Sequence, residues 1–174
     1  EVERILSTSC NYLVTMTNEE NDFLKNTFHI KDEMIQTIPT AYTYQEHTES
    51  KSLNNIYKEN PKVTNLFFIG PSLHPPNRDS IKWLLEGFKN KKFIKEINNF
   101  KIHIIGSWRE KDKNYIFKKF PEFKNHIVFE GFVKDLEKYL IYNTDICLLP
   151  IVSGSGIRTK LYDYMKSEKP VIST

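Results

Sequence analysis

The sequence predicts a doubly wound α/β fold for residues 61–174, in which a parallel sheet is covered by helices on both faces. From Pro61 onward, short apolar runs typical of buried strands alternate with segments whose apolar residues recur at helical spacing. Strands that alternate with helices are joined by right-handed crossovers and therefore lie parallel. The runs are apolar throughout, as expected where helices cover both faces of the sheet. Such Rossmann-like sheets commonly have the strand order 3-2-1-4-5, which reverses between the first and the fourth strand.

Each element of this fold follows from its local sequence. Five strands, rich in β-branched and aromatic residues, are expected at 63–69, 101–105, 127–129, 145–149 and 170–173. Asn77 is expected to cap the first helix, because its side chain can accept a hydrogen bond from a free N–H group at a helix start. A second helix is expected at 114–120, a third after Asp135 as its cap, and a fourth from Arg158 onward. Helical spacing predicts that the fourth helix buries Ile157, Leu161, Tyr164 and Met165.

The first 60 residues have a different character. A strand over 12–16, a helix over 18–27 with Asn18 at its cap, and a strand over 34–38 are too few to bury a core alone. Residues 1–40 are therefore predicted to close a preceding domain, residues 41–60 to form a linker, and residues 61–174 to form a second, truncated domain. We expect the chain to be a piece of a longer protein.

Composition narrows the functional classes. A net charge of +3 over 174 residues is too small to indicate nucleic-acid binding. The two cysteines, Cys10 and Cys147, form neither a disulfide framework nor a metal-binding motif, and Cys147 is expected to be a small buried side chain. No apolar run is long enough to cross a bilayer and no signal sequence opens the chain, so a cytoplasmic location is expected.

The segment between the fourth strand and the last helix predicts an anion site. It contains the sequence Gly-Ser-Gly at 154–156, followed by Arg158 and Lys160 in the expected first turn of the helix. Glycines let backbone N–H groups approach a ligand closely, and the start of a helix attracts anions. Arginine can hold phosphate oxygens with two parallel hydrogen bonds. The alternative is an ordinary turn in which the glycines only relieve strain.

A second loop, at 70–78, is expected to meet this segment, because loops on either side of a strand-order reversal lie together. Both loops contain glycine and carry an arginine near a helix start, which predicts that a nucleotide diphosphate binds between them. Neither a Walker loop nor a Gly-x-Gly-x-x-Gly motif is present. His74 could contact the ligand or be a plain surface residue. Asp163 could form a surface ion pair with Lys160 or hold a ribose.

Taken together, the motifs resemble the nucleotide-sugar-binding half of family 4 retaining glycosyltransferases with the GT-B fold. The matching segments are Leu-Phe-Phe-Ile-Gly at 66–70, His-Pro-Pro-Asn-Arg at 74–78, Ile-Ile-Gly at 104–106, 127–133, 145–150, 154–165 and 169–174. Their order and spacing cover nearly all of residues 61–174. Residues 1–40 are similar, more loosely, to the strand-helix-strand that closes the family's acceptor-binding domain.

The resemblance implies a hexosyltransferase-type enzyme that moves a sugar from a nucleotide-diphosphate donor to a glycan or lipid-linked acceptor with retention of configuration. It implies neither a cofactor nor an essential metal, and catalytic residues mainly in the family's other domain, so that this chain alone would be inactive. Because family members often act at the inner leaflet, peripheral contact with that membrane surface is also expected. The expected donor-binding residues are Gly70, Asn77, Arg78, Gly106, Phe132, Val133, Gly154, Ser155, Gly156, Arg158, Lys160 and Asp163.

Within that set, the resemblance implies that Phe132 and Val133 contact the base of the nucleotide and that a carboxylate on the last helix binds its ribose. Many family members carry a Glu-x7-Glu pair, where this chain has Ser155 and Asp163. Many also have Arg and Lys in the loop after the first strand, where this chain has prolines. Two alternatives therefore stay open: a nucleotide-sugar epimerase of the same architecture, and a non-catalytic module that binds a nucleotide sugar without turnover.

Overall fold

The computed structural model describes residues 9–41, 63–89, 99–153 and 158–174. These residues belong to two compact units, one formed by 9–41 with Arg158 and the other by 63–153 with 159–174. Apart from residue 41, the predicted linker at 41–60 lies outside the described residues. No helix in the described ranges has both the length and the apolar content that a membrane crossing requires.

The smaller unit contains two short parallel strands and one helix. Its elements are β1 (Leu13–Thr15), α1 (Asn18–Phe28), a 3-10 turn (Asp32–Met34) and β2 (Ile35–Thr37). The expected cap at Asn18 is wrong, because Thr17 is the N-cap and its side chain accepts a hydrogen bond from Glu20 N at 3.1 Å. Thr17 and Glu20 have the Thr-x-x-Glu spacing of a capping box, which begins the helix one residue after the threonine.

The larger unit is a five-stranded parallel sheet with helices on both faces. Its strands are β3 (Thr64–Ile69), β4 (Phe100–Ile105), β5 (Ile127–Gly131), β6 (Ile146–Leu149) and β7 (Val171–Ser173). Its helices are α2 (Pro75–Lys89), α3 (Glu110–Lys119), α4 (Leu136–Asn143) and α5 (Lys160–Lys166), with a 3-10 turn at Pro121–Phe123. The strand order is β5-β4-β3-β6-β7, which confirms the predicted doubly wound fold and the order reversal between β3 and β6.

Two apolar cores lie on opposite faces of this sheet. Phe68 of β3 belongs to the core beneath α2 and α3, and its neighbour Phe67 belongs to the core beneath α4 and α5. Alternate residues of a strand point to opposite faces, so a strand covered on both faces is apolar throughout. Cys147 is fully buried in the second core, as expected, and burial raises the pKa of its thiol to about 11.

Several predicted boundaries differ from the structure. Helix α2 begins at Pro75, so Asn77 lies inside the first turn and is not the cap. Proline is tolerated there because the first N–H groups of a helix have no partner within it. Arg158 precedes α5, which begins at Lys160. Asp135 does cap α4, accepting a hydrogen bond from Lys138 N at 3.1 Å.

Helix α5 is anchored to the sheet by Tyr164, which is fully buried. Strands β3 and β6 pair at only two positions, Leu66 with Ile146 and Phe67 with Cys147. Beyond them the Tyr164 hydroxyl donates to Leu148 O at 2.9 Å and accepts from Ile69 N at 3.0 Å. One side chain thus satisfies a backbone group of each strand next to the order reversal. Leu161 and Met165, which were also expected to be buried, are exposed, and Ile157, expected to be buried with them, lies outside the described residues.

We expect Tyr164→Phe to lower the free energy of unfolding by about 1–3 kcal/mol, because the substitution leaves a buried N–H and a buried C=O without this partner. Urea denaturation measures the change. Tyr115→Phe is the matched control, since its ring is half exposed and its hydroxyl has no hydrogen bond among the described residues. Equal losses in the two variants would contradict the bridging role of Tyr164.

Candidate functional site

Glycines end three adjacent strands at the carboxyl edge of the sheet. Gly70 follows β3, Gly106 follows β4, and Gly131 is the last residue of β5. Gly70 N donates to Ile105 O at 2.8 Å, and Gly106 N donates to Gly131 O at 2.7 Å. A Cβ atom on Gly106 would lie 2.9 Å from the backbone nitrogen of Pro71. The missing side chain of Gly106 therefore lets the loop after β3 lie directly against the end of β4.

Asn77 closes this loop over the end of β3. Its side chain is almost fully buried, and its Nδ2 donates to Pro71 O at 2.9 Å. A Cβ atom on Gly70 would lie 2.5 Å from Asn77 Cγ, so a glycine is needed where the amide folds back. Asn77 Oδ1 accepts a hydrogen bond from Lys160 Nζ at the start of α5. This contact joins the loop after β3 to the first residue of α5, across the strand-order reversal.

Lys160 is held in place by an aromatic ring as well as by this amide. Its Nζ lies 4.7 Å from the centroid of the Phe68 ring, a cation-π distance. The half-buried ammonium is therefore positioned at the edge where the two predicted loops were expected to meet. Three other predicted residues of this edge, Gly154, Ser155 and Gly156, lie outside the described residues. Arg158 is exposed two residues before α5.

Arg78 lines a cleft between α2 and α3, and neither Asn77 nor Lys160 is among the residues that line it. Its Nη1 donates to Ser72 O. Hydrogen bonds from Arg109 and Ser72, together with the charge of Arg78, hold the pKa of the Asp112 carboxyl below its usual value, although partial burial opposes them. The structure therefore brings Lys160 together with Asn77 and Gly70, and places the Arg78 side chain with Ser72 and Asp112.

The residues expected to contact a base and a ribose lie near α4. Phe132 is 83% exposed directly after β5, and Val133 packs against the second core. Val133 also lines a cavity of about 320 Å³ along α4. Asp163 is half buried on α5, and its burial, with the carboxylate of Glu137 on α4, raises the pKa of Asp163 against the opposing charge of Lys166. His74 is exposed, and its backbone makes two loop hydrogen bonds: its N–H donates to Pro71 O at 3.4 Å, and its carbonyl accepts from Asn77 N at 3.1 Å.

Sequence reasoning missed Trp108, which fixes the end of β3. Its Nε1 donates to Gly70 O at 2.8 Å, and the indole is almost completely buried. The sequence signal that could have indicated this role was a tryptophan two residues after Gly106, the glycine that follows β4.

Sequence reasoning also missed a polar chain on the face of the sheet that α4 covers. His103 Nδ1 lies 2.6 Å from Glu130 Oε1, and His103 Nε2 lies 3.1 Å from Asn65 Oδ1. Asn65 Nδ2 in turn donates to Asp145 Oδ2 at 3.2 Å. Burial and the Glu130 carboxylate raise the pKa of Tyr139. The chain links β3, β4 and β5 and reaches Asp145, the residue before β6. Polar residues inside otherwise apolar strands were its signal. Nowhere in the described ranges do three His, Cys, Asp or Glu side chains form a metal-binding group.

The comparisons with known proteins agree with the fold described above. The sequence model of one family, described as glycosyl transferases group 1, matches residues 63–174. No curated protein matches the chain significantly by sequence.

Solved structures share the fold at low sequence identity. A mutant of S. aureus TarM, in complex with fondaparinux, alpha-GlcNAc-glycerol and UDP, has a TM-score of 0.69 at 17% identity, covering 96% of this chain and 30% of TarM. WaaG, a glycosyltransferase of lipopolysaccharide biosynthesis, has a TM-score of 0.65 at 15% identity, covering 92% of this chain and 43% of WaaG. The pneumococcal O-GlcNAc transferase GtfA, in complex with UDP and GlcNAc, has a TM-score of 0.63 at 17% identity, covering 99% of this chain and 32% of GtfA. The chain thus spans less than half the length of each of these proteins.

Proposed function

Since this chain belongs to the group 1 glycosyl transferases, whose family model covers residues 63–174, we propose that it carries the donor site of a retaining glycosyltransferase. The donor is a nucleotide-diphosphate sugar, and the acceptor is a glycan or a lipid-linked glycan at the inner membrane surface. The transfer requires no cofactor and no essential metal. TarM and GtfA are both known in complex with UDP, which supports a uridine diphosphate sugar as the donor.

The observation that carries the proposal is the junction of Asn77 and Lys160 at the strand-order reversal. Open α/β sheets bind ligands at this position, outside the carboxyl ends of the strands. The loop after β3 packs closely against Asn77 and the end of β4 because Gly70 and Gly106 have no side chains, and Asn77 in turn holds the Lys160 ammonium at this edge, where we place the diphosphate. A cation already held by an amide and an aromatic ring needs little rearrangement when the ligand arrives.

The chemistry of transfer explains why a positioned cation matters. As the glycosidic bond breaks, the leaving diphosphate gains negative charge. Cations and hydrogen-bond donors that are already oriented stabilise that charge most. Lys160, Arg158 and the backbone of the 154–156 loop supply those donors. Asp163 accepts hydrogen bonds from the ribose, and the exposed Phe132 ring packs against the base.

Calorimetric titration of the chain with UDP, GDP and ADP tests the donor site. We expect UDP to bind saturably and more tightly than GDP or ADP. A folded chain that binds none of the three would overturn the proposal. The products formed by the protein that contains this chain together with its acceptor domain separate two enzyme classes. Free UDP and a glycoside indicate a transferase, whereas a nucleotide sugar with an altered sugar indicates an epimerase. Binding of the nucleotide sugar without turnover would indicate the non-catalytic module, the alternative left open because Ser155 stands where many family members have a glutamate.

Arg158→Ala is expected to weaken UDP binding by about 1.5–3 kcal/mol, the range for a hydrogen bond to a charged group. The same titration measures the change. Arg109→Ala is the control, because Arg109 is exposed and its side chain is engaged with Asp112 at 2.7 Å. Unchanged affinity in the Arg158 variant would remove this arginine from the donor site.

Asp163→Asn is expected to weaken UDP binding about fivefold while stabilising the fold at neutral pH. A neutral amide accepts ribose hydrogen bonds less strongly than a carboxylate, which accounts for the lost affinity. The stability effect follows from the raised pKa of Asp163. At a pH below the pKa that Asp163 has in the unfolded chain, its carboxyl is protonated in both the folded and the unfolded chain, so burying it carries no electrostatic cost. As the pH rises through the higher folded pKa, the buried charge destabilises the native state fully.

Thermal unfolding of the Asp163→Asn variant across pH measures this difference. The melting temperatures of the variant and the parent should converge as the pH falls toward about 4, near the ordinary pKa of an aspartate. Asp163→Glu keeps the charge and should retain the affinity for UDP. A stability difference that does not change with pH would show that the burial of this carboxylate is not its cause.

A further inference from the structure

A cleft between α2 and α3 lies apart from the junction of Asn77 and Lys160. Its volume is about 260 Å³, and it is lined by Arg78, Lys82, Trp108, Lys111, Asp112 and Tyr115. Arg78 belongs to the first turn of α2, and Lys111 and Asp112 belong to the first turn of α3. The cleft therefore opens at the carboxyl edge of the sheet, on the face covered by α2 and α3.

The charges of this cleft favour an anion. Arg78 uses one nitrogen on Ser72 O and makes no further hydrogen bond with a described residue, so its remaining N–H groups are available to a ligand. Lys111 is exposed and has no ion-pair partner among the described residues. Lys82 Nζ lies 3.3 Å from Asp79 Oδ1, an exposed pair of the kind that contributes only about 0–1 kcal/mol. A ligand anion can therefore recruit Lys82 at little cost.

The one carboxylate that lines the cleft is already satisfied. Asp112 accepts hydrogen bonds from Arg109 at 2.7 Å and 3.3 Å, and its second neighbour is the Ser72 hydroxyl. Asp112 is the only carboxylate among the residues that line the cleft, and its charge interacts with both Arg109 and Arg78, whereas three cations, Arg78, Lys82 and Lys111, line the same cleft, so its lining carries a net positive charge. Arginine offers a planar fork suited to phosphate oxygens, and the two ammonium groups add point charges.

Two aromatic rings give the cleft an apolar surface as well. Trp108 is held rigidly by its bond to Gly70 O, and the half-exposed Tyr115 ring lies 5.2 Å from Lys82 Nζ. The C–H faces of a sugar ring pack on such rings through dispersion contacts. Pockets that combine an apolar wall with a few convergent polar groups are typical of small-molecule sites.

We propose that this cleft is a second ligand site, which binds a phosphorylated sugar. The three cations hold the phosphate, and the half-exposed Tyr115 ring holds the sugar ring, with the small exposed part of the buried Trp108 indole at the wall of the cleft. The choice of a sugar rests on the proposed glycosyl transfer, whereas the choice of an anion rests on the charges of the cleft alone. The occupant is distinct from the nucleotide donor, because the donor lies at Lys160 and the cleft contains none of the residues of that junction.

Fluorescence of Trp108 tests the proposal directly. The chain has two tryptophans, and Trp83→Phe, at an exposed position outside the cleft, leaves Trp108 as the single reporter. The probes are glucose 6-phosphate, glucose and inorganic phosphate. Glucose 6-phosphate should change the emission saturably, with an affinity at least tenfold above those of glucose and phosphate. Lys111→Gln and Lys82→Gln should each weaken it several-fold, and Lys124→Gln, at an exposed site before β5, should not.

Three outcomes would overturn the second site. They are no saturable change with glucose 6-phosphate, equal binding of inorganic phosphate alone, and competition between UDP and glucose 6-phosphate, which would assign the sugar phosphate to the donor site. Calorimetry with UDP on the same sample separates the two proposals. If UDP binds and glucose 6-phosphate does not, only the proposal of a second site is contradicted. If glucose 6-phosphate binds and UDP does not, only the proposal of the donor site is contradicted.

Discussion

Lys160→Ala should weaken UDP binding by about 1.5–3 kcal/mol, or roughly 10- to 150-fold, because it removes a positioned cation from the leaving diphosphate. The structure supplies the reason for this size. The ammonium is half buried, bonded to Asn77 and placed over Phe68, so it is oriented before the ligand arrives. Calorimetric titration gives the loss, and Lys124→Ala, at an exposed site before β5, is the matched control.

A double-mutant cycle with Asn77→Ala separates direct from indirect effects. If Asn77 acts by positioning Lys160, the double variant should bind UDP no more weakly than Lys160→Ala alone. Additive losses would mean that Asn77 contacts the ligand independently. An affinity within twofold of the parent for Lys160→Ala itself would place the diphosphate elsewhere. Urea denaturation of each variant checks that a lost affinity does not come from an unfolded chain.

Gly106→Ala should lower the free energy of unfolding by about 2–6 kcal/mol, because the added methyl group meets both backbone strain and a clash with backbone atoms. Gly106 has φ of 120°, a conformation that costs a residue with a side chain about 1–3 kcal/mol. Its new methyl group would also lie 2.9 Å from Pro71 N and 3.0 Å from Gly70 C. Overpacking of this kind costs about 1–3 kcal/mol more, since backbone atoms cannot swing away as a flexible side chain can.

Two other glycines serve as graded controls for this variant. Gly131 has φ of 72° but open space around an added Cβ, so Gly131→Ala should show the backbone strain without the clash. Gly87 is exposed on α2 with nothing within 4 Å of an added Cβ, and Gly87→Ala should stabilise the fold by about 0.5–1 kcal/mol. Urea denaturation should rank the three variants in that order. A Gly106→Ala variant as stable as Gly131→Ala would show that the loop after β3 yields freely.

The sequence was sufficient where short-range patterns decide the structure. Apolar runs at β3 to β6, in alternation with helices, predicted buried parallel strands. The strand order, taken from the common topology of such sheets, is the one that the sheet has. Asp135 was correct as a cap because capping involves only groups three residues apart. Asn77 was misassigned because Pro75 and Pro76 already begin α2, and its amide is then drawn to Pro71 and Lys160 instead.

The sequence by itself determined the fold class and the loops that follow β3 and β6, because these depend on local periodicity and on the handedness of crossovers. The strand order was the common one for such sheets, and the structure decided that this sheet has it. Only the tertiary structure decided which side chains meet there. Lys160 and Asn77 are 83 residues apart, whereas the Arg78 side chain lies with Ser72 and Asp112. Such contacts depend on the distance between folded segments and on burial, and no spacing along the chain records either.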